Sequence, residues 1–246
     1  MTGVGCHAPS GAVVTGEEKM ATAKKKTPQK EIGSVIIEAP KFRVTPFPLL
    51  GSSMMVQNKF AQEAQQQMLN AMMEDKATKA KKKDRPPKDL QKEYEGSMHK
   101  STDGWYGIPA TSFRNSLIRA CKLVGIEMTT AKMCLFVEAD GYEEDGTPLV
   151  RITKGKPHRL DSYVKNANGR PDIRGRGAWN PGWECTIRVK YDADFIKAEY
   201  VANLINRAGQ QVGVGAGRPF STMSNGMGWG TFCLKEADIR PSKKAA

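Results

Sequence analysis

The stretch ECTIRVKY, residues 184–191, decides the fold of this chain of 246 residues. Within it, Cys185, Ile187 and Val189 alternate with Arg188 and other polar residues. Apolar side chains that recur every second residue predict a half-buried β-strand. A single apolar face is typical of an antiparallel sheet that packs on its core from one side. The outward face of this strand is basic, because Arg188 points away from the apolar side chains.

The sequence on either side of this strand predicts five further elements. Three are strands, at residues 33–50, 132–138 and 231–234. Two are helices, which run from Thr111 or Ser112 to Gly125 and from Asp192 or Asp194 to Gly209. Ser, Thr and Asp are good helix N-caps, and Gly is a good helix stop. The resulting order predicts an α+β fold, with a ferredoxin-like (RRM-like) antiparallel sheet that carries two helices on one face.

The first predicted strand has two faces of different character. Phe42 and Val44 alternate with Lys41, Arg43 and Thr45. This period predicts that the apolar pair is buried and that the two cations face outward.

Two polar segments interrupt this plan and are predicted to be large insertions, at about residues 52–104 and 140–182. Both are rich in cations and in the residues that favour turns. The sequence thus predicts one ferredoxin-like domain over residues 33–240. Flexible tails are expected at residues 1–32 and 241–246.

Two smaller expectations concern a turn and the tryptophans. A hairpin is predicted around Glu144–Gly146, with Glu143 and its acidic neighbours at a solvated tip. For Trp179, base stacking is an alternative to core packing, because several arginines precede it in the sequence. Trp105 and Trp229 are predicted to pack in the core or at an interface.

The charge balance indicates the class of partner. The formal net charge is +12, and a strong positive field attracts polyanions through counterion release. No apolar run approaches the roughly 20 residues that a membrane-spanning helix needs, and the chain opens without a secretory signal pattern. The five cysteines are odd in number and scattered, as is typical of reduced thiols. We therefore expect a cytoplasmic protein that binds nucleic acid.

The glycine-rich loop, Gly213–Gly230, is the most distinctive local feature. Its run GVGAGR, residues 213–218, follows a predicted helix, whereas a dinucleotide-binding loop must leave a strand and open a helix. The sequence also lacks the Gly-Lys-Ser/Thr ending of a Walker loop. No spacing of Cys, His or Asp residues predicts a metal site. Neither a cofactor nor a metal is therefore expected.

Closely spaced glycines can instead present backbone N–H groups to a phosphate. Gly215, Gly217, Arg218 and Ser221 are the contacts predicted in this loop. The alternative is a structural loop whose glycines allow positive φ and close packing. Further candidate phosphate contacts are the cations of the two basic strands, the first helix and the second insertion: Lys41, Arg43, Arg114, Arg119, Lys154, Lys156, Arg170, Arg174, Arg176 and Arg188.

The segment DGWYGIPATSFRN, residues 103–115, resembles a helix start found in a known family. It is similar to the turn and helix start of backbone subunits in the RAMP superfamily of CRISPR-associated proteins. Ile108, Pro109 and Ser112 match that start, and Arg119 corresponds, with a shift of one residue, to the arginine of the family's helix. The glycine-rich loop is similar to the C-terminal loop of the same superfamily. This resemblance implies a guide-RNA-binding subunit that stacks into filaments.

The leading hypothesis is therefore a non-catalytic subunit that binds single-stranded RNA or DNA and oligomerises along the strand. One alternative is an RNA-processing endoribonuclease of the same fold, with His99 or His158 as general acid or base. Another is a structural oligomer whose basic insertions bind an acidic partner. Some RAMP relatives cut RNA with an aspartate after the first strand. Residues 49–58 contain no acidic residue here, which favours binding over cleavage.

Overall fold

The computed structural model describes residues 38–57, 59, 69, 89–165, 171–221 and 226–235. Apart from Glu38, these residues belong to one compact unit, Ala39–Ala246. Within them the chain is a mixed α+β structure with antiparallel sheets and four α-helices. The tails predicted at residues 1–32 and 241–246, and much of the first predicted insertion, lie outside the described residues.

The bounds of the elements follow in chain order. The strands are β1 (Phe42–Gly51), β2 (Met55–Val56), β3 (Gly107–Pro109), β4 (Leu135–Glu138), β5 (Gly141–Tyr142), β6 (Pro148–Lys154), β7 (Pro157–Lys165), β8 (Pro171–Trp179), β9 (Glu184–Asp192) and β10 (Phe232–Leu234). The helices are α1 (Leu90–Gly96), α2 (Ala110–Cys121), α3 (Met128–Cys134) and α4 (Ala198–Arg207). A 3₁₀ turn, Lys122–Val124, follows α2, and a π-helical turn, Ala208–Val212, follows α4. Among the described residues, no helix has the length and apolar character needed to cross a membrane.

The larger sheet is built around β9. One side of β9 pairs with β1 along the strand, where Phe47 lies opposite Ile187. Its other side is shared by two strands, because β6 pairs near Cys185 and β4 pairs from Arg188 to Tyr191. β10 borders β1, while β3 and β5 border β6. All of these pairs are antiparallel.

The strand predicted at residues 184–191 is confirmed. Cys185, Ile187, Val189 and Tyr191 are buried, and the side chains between them are only half-buried. The alternation therefore marks the face of β9 that packs on the helices.

The prediction for β1 is wrong about which face is buried. Phe47 and Leu49 lie in the core, whereas Phe42 and Val44 are 38% and 46% exposed. Since alternate residues of a strand share a face, Phe42 and Val44 belong to the outer face and Arg43 to the inner one. The alternation was visible in the sequence, but the helices that cover the sheet decide which side is inner.

Helices α2 and α4 cover the inner face of the larger sheet. Phe113 and Leu117 of α2 and Ile205 of α4 are fully buried. Burial of a side chain of this size stabilises the fold by about 1.5–3 kcal/mol. The Phe113 ring meets the ring of Phe232 from β10 edge to face, with 5.6 Å between centroids. These contacts hold α2 against the strand that follows the glycine-rich loop.

Both ends of the second predicted helix are corrected. α4 begins at Ala198, because Asp192 forms a turn in which its carboxylate accepts the Asp194 amide at 3.0 Å. The helical path also continues past Gly209 and ends at Val212. Gly209 is packed so closely against β10 that a Cβ there would lie 2.0 Å from the Phe232 carbonyl oxygen. This glycine allows close approach to a strand, and it does not stop the helix.

The first predicted helix is confirmed, but neither Thr111 nor Ser112 caps it with a side-chain hydrogen bond. Gly125 follows its 3₁₀ turn with φ of +77°, as expected of a helix stop. The strand predicted at residues 132–138 is wrong in its first part, since residues 128–134 form α3. A short run that is apolar throughout has no period that separates helix from strand.

A smaller sheet, in the order β2-β8-β7, lies in segments predicted as insertions. β7 and β8 form a hairpin, and α1 packs on one of its faces. The amide of Gly175 donates to the Glu93 carboxylate at 3.1 Å, and that of Gly177 donates to Ser97 Oγ at 2.8 Å. The prediction of two helices and one sheet is therefore incomplete, because turn-rich sequence here forms regular structure.

Candidate nucleic-acid interface

One wall of the candidate site is the face of α2 that meets the glycine-rich loop. Ser112, Asn115, Ser116 and Arg119 recur three and four residues apart, which places them on one side of a helix. The Ser116 hydroxyl is buried and donates to the Ala208 carbonyl at 3.1 Å. That bond ties α2 to the π-helical turn from which the loop departs.

The other wall is the beginning of the glycine-rich loop. Gly215 has φ of +75°, and a Cβ there would lie 2.4 Å from the Val56 carbonyl oxygen. Glycine is therefore required at this position both for its conformation and for space. The next amide, that of Ala216, donates to the same Val56 carbonyl at 2.9 Å. The loop is thus anchored on β2.

The two walls enclose a cavity of about 100 Å³, which we call the arginine pocket. Its lining consists of Ser112, Asn115, Ser116, Arg119, Val212, Gly213, Val214, Gly215 and Arg218. None of these residues is acidic, and several can donate hydrogen bonds through hydroxyl, amide or guanidinium groups. Such a lining suits an anion.

Arg119 and Arg218 give the pocket its charge. Burial lowers the pKa of Arg218, and repulsion from the Arg119 guanidinium lowers it further. Nη1 of Arg218 donates to the Gly215 carbonyl at 3.0 Å, and the Arg119 guanidinium lies 4.8 Å from the centre of the Phe220 ring. Within the described part of the chain, neither arginine has a carboxylate partner. Two like charges held together without a counter-ion favour an anion beside them.

The loop glycines serve packing and also leave amides unpaired. The amide of Val214 donates to the Gly230 carbonyl at 2.9 Å, whereas those of Gly215 and Gly217 donate no hydrogen bond to any described residue. Gly217 has φ of +67°, and a Cβ there would lie 2.6 Å from the Trp229 ring. Both interpretations of the loop, as structural and as phosphate-binding, therefore have support in its geometry.

Two predicted cations, Arg188 of β9 and Lys154 of the second predicted insertion, lie elsewhere and face carboxylates. Arg188 pairs with Asp140 at 3.0 Å and with Glu138 at 3.5 Å. Lys154 pairs with Glu184 at 3.0 Å. A phosphate that approached these cations would compete with carboxylates already in place.

Three further predicted contacts also lie away from the pocket. Nζ of Lys41 lies 4.0 Å from the Asp194 carboxylate, and Arg43 is exposed near the start of β1. Nε of Arg114 donates to the Leu135 carbonyl at 2.9 Å. Arg114 therefore ties α2 to the edge strand β4.

The remaining predicted cations belong to the region of the β7–β8 hairpin. Lys156 is exposed just before β7, and Nε of Arg174 lies 3.4 Å from the Asp172 carboxylate. Burial and then repulsion from Arg174 lower the pKa of Arg176. Arg170 lies outside the described residues.

Of the predicted contacts, the structure brings Arg119, Gly215 and Arg218 together in one cavity. Gly217 and Ser221 belong to the same loop. Sequence reasoning missed Asn115 and Phe220. The polar spacing along α2 could have indicated Asn115, whereas the position of Phe220 depends on the path of the loop.

A second cluster of buried polar groups joins distant segments. Nδ1 of His99 lies 2.9 Å from Oε1 of Glu143, and Nζ of Lys59 donates to Oε2 at 2.9 Å. The predicted hairpin is confirmed, since Tyr142 pairs with Pro148 across it. The prediction that Glu143 lies at a solvated tip is wrong, because its side chain is only 2% exposed. Burial lowers the pKa of His99, while Glu143 acts in the opposite direction.

The tryptophan predictions have mixed outcomes. Trp179 is 1% exposed and meets Tyr106 edge to face at 6.2 Å, so the base-stacking alternative is wrong and this residue packs in the core. Trp229 packs against Val56 and Ala216, as predicted for a packing residue. The arginines that precede Trp179 in the sequence did not indicate that it is buried.

No family model matches the chain, and no curated protein matches its sequence. In the described ranges, no group of three or more His, Cys, Asp and Glu residues is placed to hold a metal ion. Function is therefore inferred from the geometry of the arginine pocket.

Proposed function

We propose that this chain binds a single-stranded nucleic acid and holds its phosphate backbone in the arginine pocket. The observation that carries the proposal is the convergence of Arg119 and Arg218 on a cavity without acidic lining. A phosphodiester oxygen supplies the missing negative charge, and charge-assisted hydrogen bonds to guanidinium groups are among the strongest in proteins. Gly215 adds an unpaired backbone amide to this wall.

The dimensions of the pocket favour one phosphate of an extended chain. Its volume of about 100 Å³ is well below the roughly 300 Å³ at which sites for whole small-molecule ligands begin. The bases of a bound strand would thus remain outside. Phe220 is 43% exposed and its ring lies 4.8 Å from the Arg119 guanidinium, and an exposed aromatic ring beside a cation suits stacking of an unpaired base.

The strand order supports membership in a known architectural class. With β1, β4, β9 and β10 as core strands, α2 follows the first, α4 follows the third, and the sheet order is β10-β1-β9-β4. We propose that this core is ferredoxin-like, with β5–β8 inserted before β9. Together with the resemblance of residues 103–115 to RAMP backbone subunits, this arrangement favours a subunit that oligomerises along its strand.

The first test is direct binding. Labelled single-stranded RNA, single-stranded DNA of the same sequence and the matching duplex are titrated with the protein at several salt concentrations, and fluorescence anisotropy is recorded. We expect tighter binding of a single strand, with affinity that falls steeply as salt rises. The proposal is overturned if neither the RNA nor the DNA single strand shows salt-dependent binding.

Assembly is tested separately by size measurement before and after nuclease treatment. Complexes whose size increases with strand length and that dissociate after digestion support assembly on nucleic acid. Oligomers that survive digestion, and that bind an acidic polymer as well as they bind RNA, favour the structural alternative.

A second candidate function, RNA processing, is favoured by the His99–Glu143 pair. Glu143 holds Nδ1 of the imidazole at 2.9 Å, while Nε2 has no hydrogen-bond partner among the described residues. A carboxylate behind an imidazole with one free nitrogen is an arrangement used in general base catalysis. A cavity of about 290 Å³ borders the Lys59–Glu143 ion pair.

This candidate is separated from simple binding by product analysis. End-labelled RNA hairpins and single strands are incubated with the wild type, His99→Gln and the matched control His158→Gln, in the presence of a chelator. Cleavage that is lost only in His99→Gln supports RNA processing. Intact RNA with the wild type excludes it under these conditions and leaves the binding proposal unaffected.

A further inference from the structure

Gln57 is a buried polar residue at the junction of the two walls of the arginine pocket. It follows β2 directly and is 2% exposed. A buried amide side chain must satisfy both its donor and its acceptor within the protein. The partners of Gln57 therefore show which segments it holds together.

The side chain of Gln57 is bonded to backbone groups of two separate segments. Its Nε2 donates to the Gly107 carbonyl at 2.8 Å, and its Oε1 accepts the His99 amide at 2.8 Å. The Gly107 amide in turn donates to the His99 carbonyl at 3.1 Å. Gln57 thus closes a small network at the start of β3.

This network leads to the helical wall of the pocket. Gly107 opens β3, which ends at Pro109, and α2 begins at the next residue. Ser112, Asn115 and Arg119 of α2 then line the pocket. A shift of Gly107 relative to β2 therefore moves the start of α2.

The residues before Gln57 lead to the loop wall. The Val56 carbonyl accepts the Ala216 amide at 2.9 Å, and the Met54 carbonyl accepts the Gly230 amide at 2.7 Å. Residues 54–57 thus contact the loop on one side and the start of β3, which leads into α2, on the other. Among the described residues, Gln57 supplies the side-chain bond that completes this bridge.

We propose that Gln57 is a positioning residue for the arginine pocket and sets the distance between Arg119 and Arg218. This inference rests on the proposed binding function, because the distance matters only if both arginines engage one phosphate. Hydrogen bonds weaken steeply with distance and misalignment. A small displacement of one wall therefore costs affinity even when both cations are present.

The decisive variant is Gln57→Met, which keeps the length of the side chain but removes its donor and acceptor. The matched control is Ser97→Ala. Ser97 is also buried, and its Oγ accepts the Gly177 amide and donates to the Tyr94 carbonyl, both at 2.8 Å. It joins α1 to the hairpin without contacting either wall of the pocket.

We expect both variants to lower the melting temperature, since each leaves buried backbone groups unpaired. Only Gln57→Met should weaken binding of a labelled single-stranded RNA of about 20 nucleotides, by about tenfold, at a temperature where all proteins are folded. A purely structural role predicts equal affinities for the two variants. Wild-type affinity in folded Gln57→Met overturns the inference.

Gln57→Glu provides a second measurement, which keeps the proposal testable if Gln57→Met does not fold. Burial raises the pKa of a carboxyl group, and a protonated carboxyl can donate to the Gly107 carbonyl as the amide does. We expect weak RNA binding at about pH 8.5 and recovery at about pH 5.5, relative to the wild type at each pH. Equal relative affinity at both pH values overturns the inference. Absence of binding by the wild type overturns the proposed function together with it.

Discussion

The arginine pocket and the outer face of the larger sheet both carry cations that the sequence offers as phosphate contacts, yet their surroundings differ. On the sheet, Arg188 lies 3.0 Å from Asp140 and 3.5 Å from Glu138. In the pocket, Arg119 and Arg218 lie near each other, and the lining contains no carboxylate. Both regions contain arginine, but only the outer face of the sheet has carboxylates beside it, so the pocket is the better site for an anion.

The difference shows that a count of cations does not locate a binding site. An exposed ion pair contributes little to stability, about 0–1 kcal/mol, but it reduces the local positive potential that a phosphate would meet. Two unpaired guanidinium groups retain that potential. The net charge of +12 thus predicts a general attraction to polyanions. Whether a cation is already paired with a carboxylate decides whether it can bind a phosphate.

The largest expected effect comes from the pocket itself. We expect the double variant Arg119→Ala/Arg218→Ala to bind single-stranded RNA at least about 100-fold more weakly, since each charge-assisted hydrogen bond contributes about 1.5–3 kcal/mol. Arg188→Ala is the control and should change affinity less than about twofold. Equal losses in the two proteins, measured by anisotropy, would remove the distinction between the regions.

The next prediction tests whether close packing at Gly215 determines the position of the loop wall. Gly215→Ala should lower the free energy of unfolding by about 2 kcal/mol more than Gly228→Ala, measured by urea denaturation. Both glycines have positive φ, +75° and +72°, but a Cβ at Gly215 meets the Val56 carbonyl while one at Gly228 has nothing within 4 Å. Equal destabilisation would mean that conformation alone, without close packing, explains the loop glycines.

A smaller effect should appear when a sheet cation is released from its partner. Asp140→Asn removes the closer carboxylate from Arg188, and we expect affinity for single-stranded RNA at low salt to rise about two- to threefold. Asp145→Asn is the control with the same change of net charge, since the Asp145 carboxylate accepts the Thr147 amide and faces no arginine. An equal gain in affinity for Asp145→Asn would mean that the change of net charge, and not the release of Arg188, causes the effect.

The smallest expected effect distinguishes the arginine pocket from the buried polar cluster around His99. Burial lowers the pKa of His99 below its usual 6.5, and Glu143 opposes the shift. The unfolded chain therefore takes up the proton first, so this contribution to stability is complete above pH 6.5 and is lost as pH falls toward the lower folded-state pKa.

The melting temperature should accordingly fall between about pH 7.5 and about pH 5.5, and fall less in His99→Gln. RNA affinity of the wild type should stay constant over the same range, because guanidinium groups do not titrate there. Affinity that follows the histidine titration would connect the two regions and contradict their separation.

The sequence by itself determined the features that repeat locally. The alternation at Cys185, Ile187 and Val189 predicted β9 and its inner face, and Gly125 predicted the end of the helical segment that begins with α2. The glycines at 215 and 217 marked a loop with unusual backbone. These signals are local because strand and helix geometry place neighbours in the chain on a shared face.

Only the tertiary structure decided which groups meet across long separations. It placed Phe42 on the outer face of β1, gave Arg188 its carboxylate partners, and joined His99 to Glu143. It also brought Arg119 and Arg218 to one cavity without an acid. Burial and charge pairing depend on residues far apart in the chain, so a periodic pattern contains no information about them.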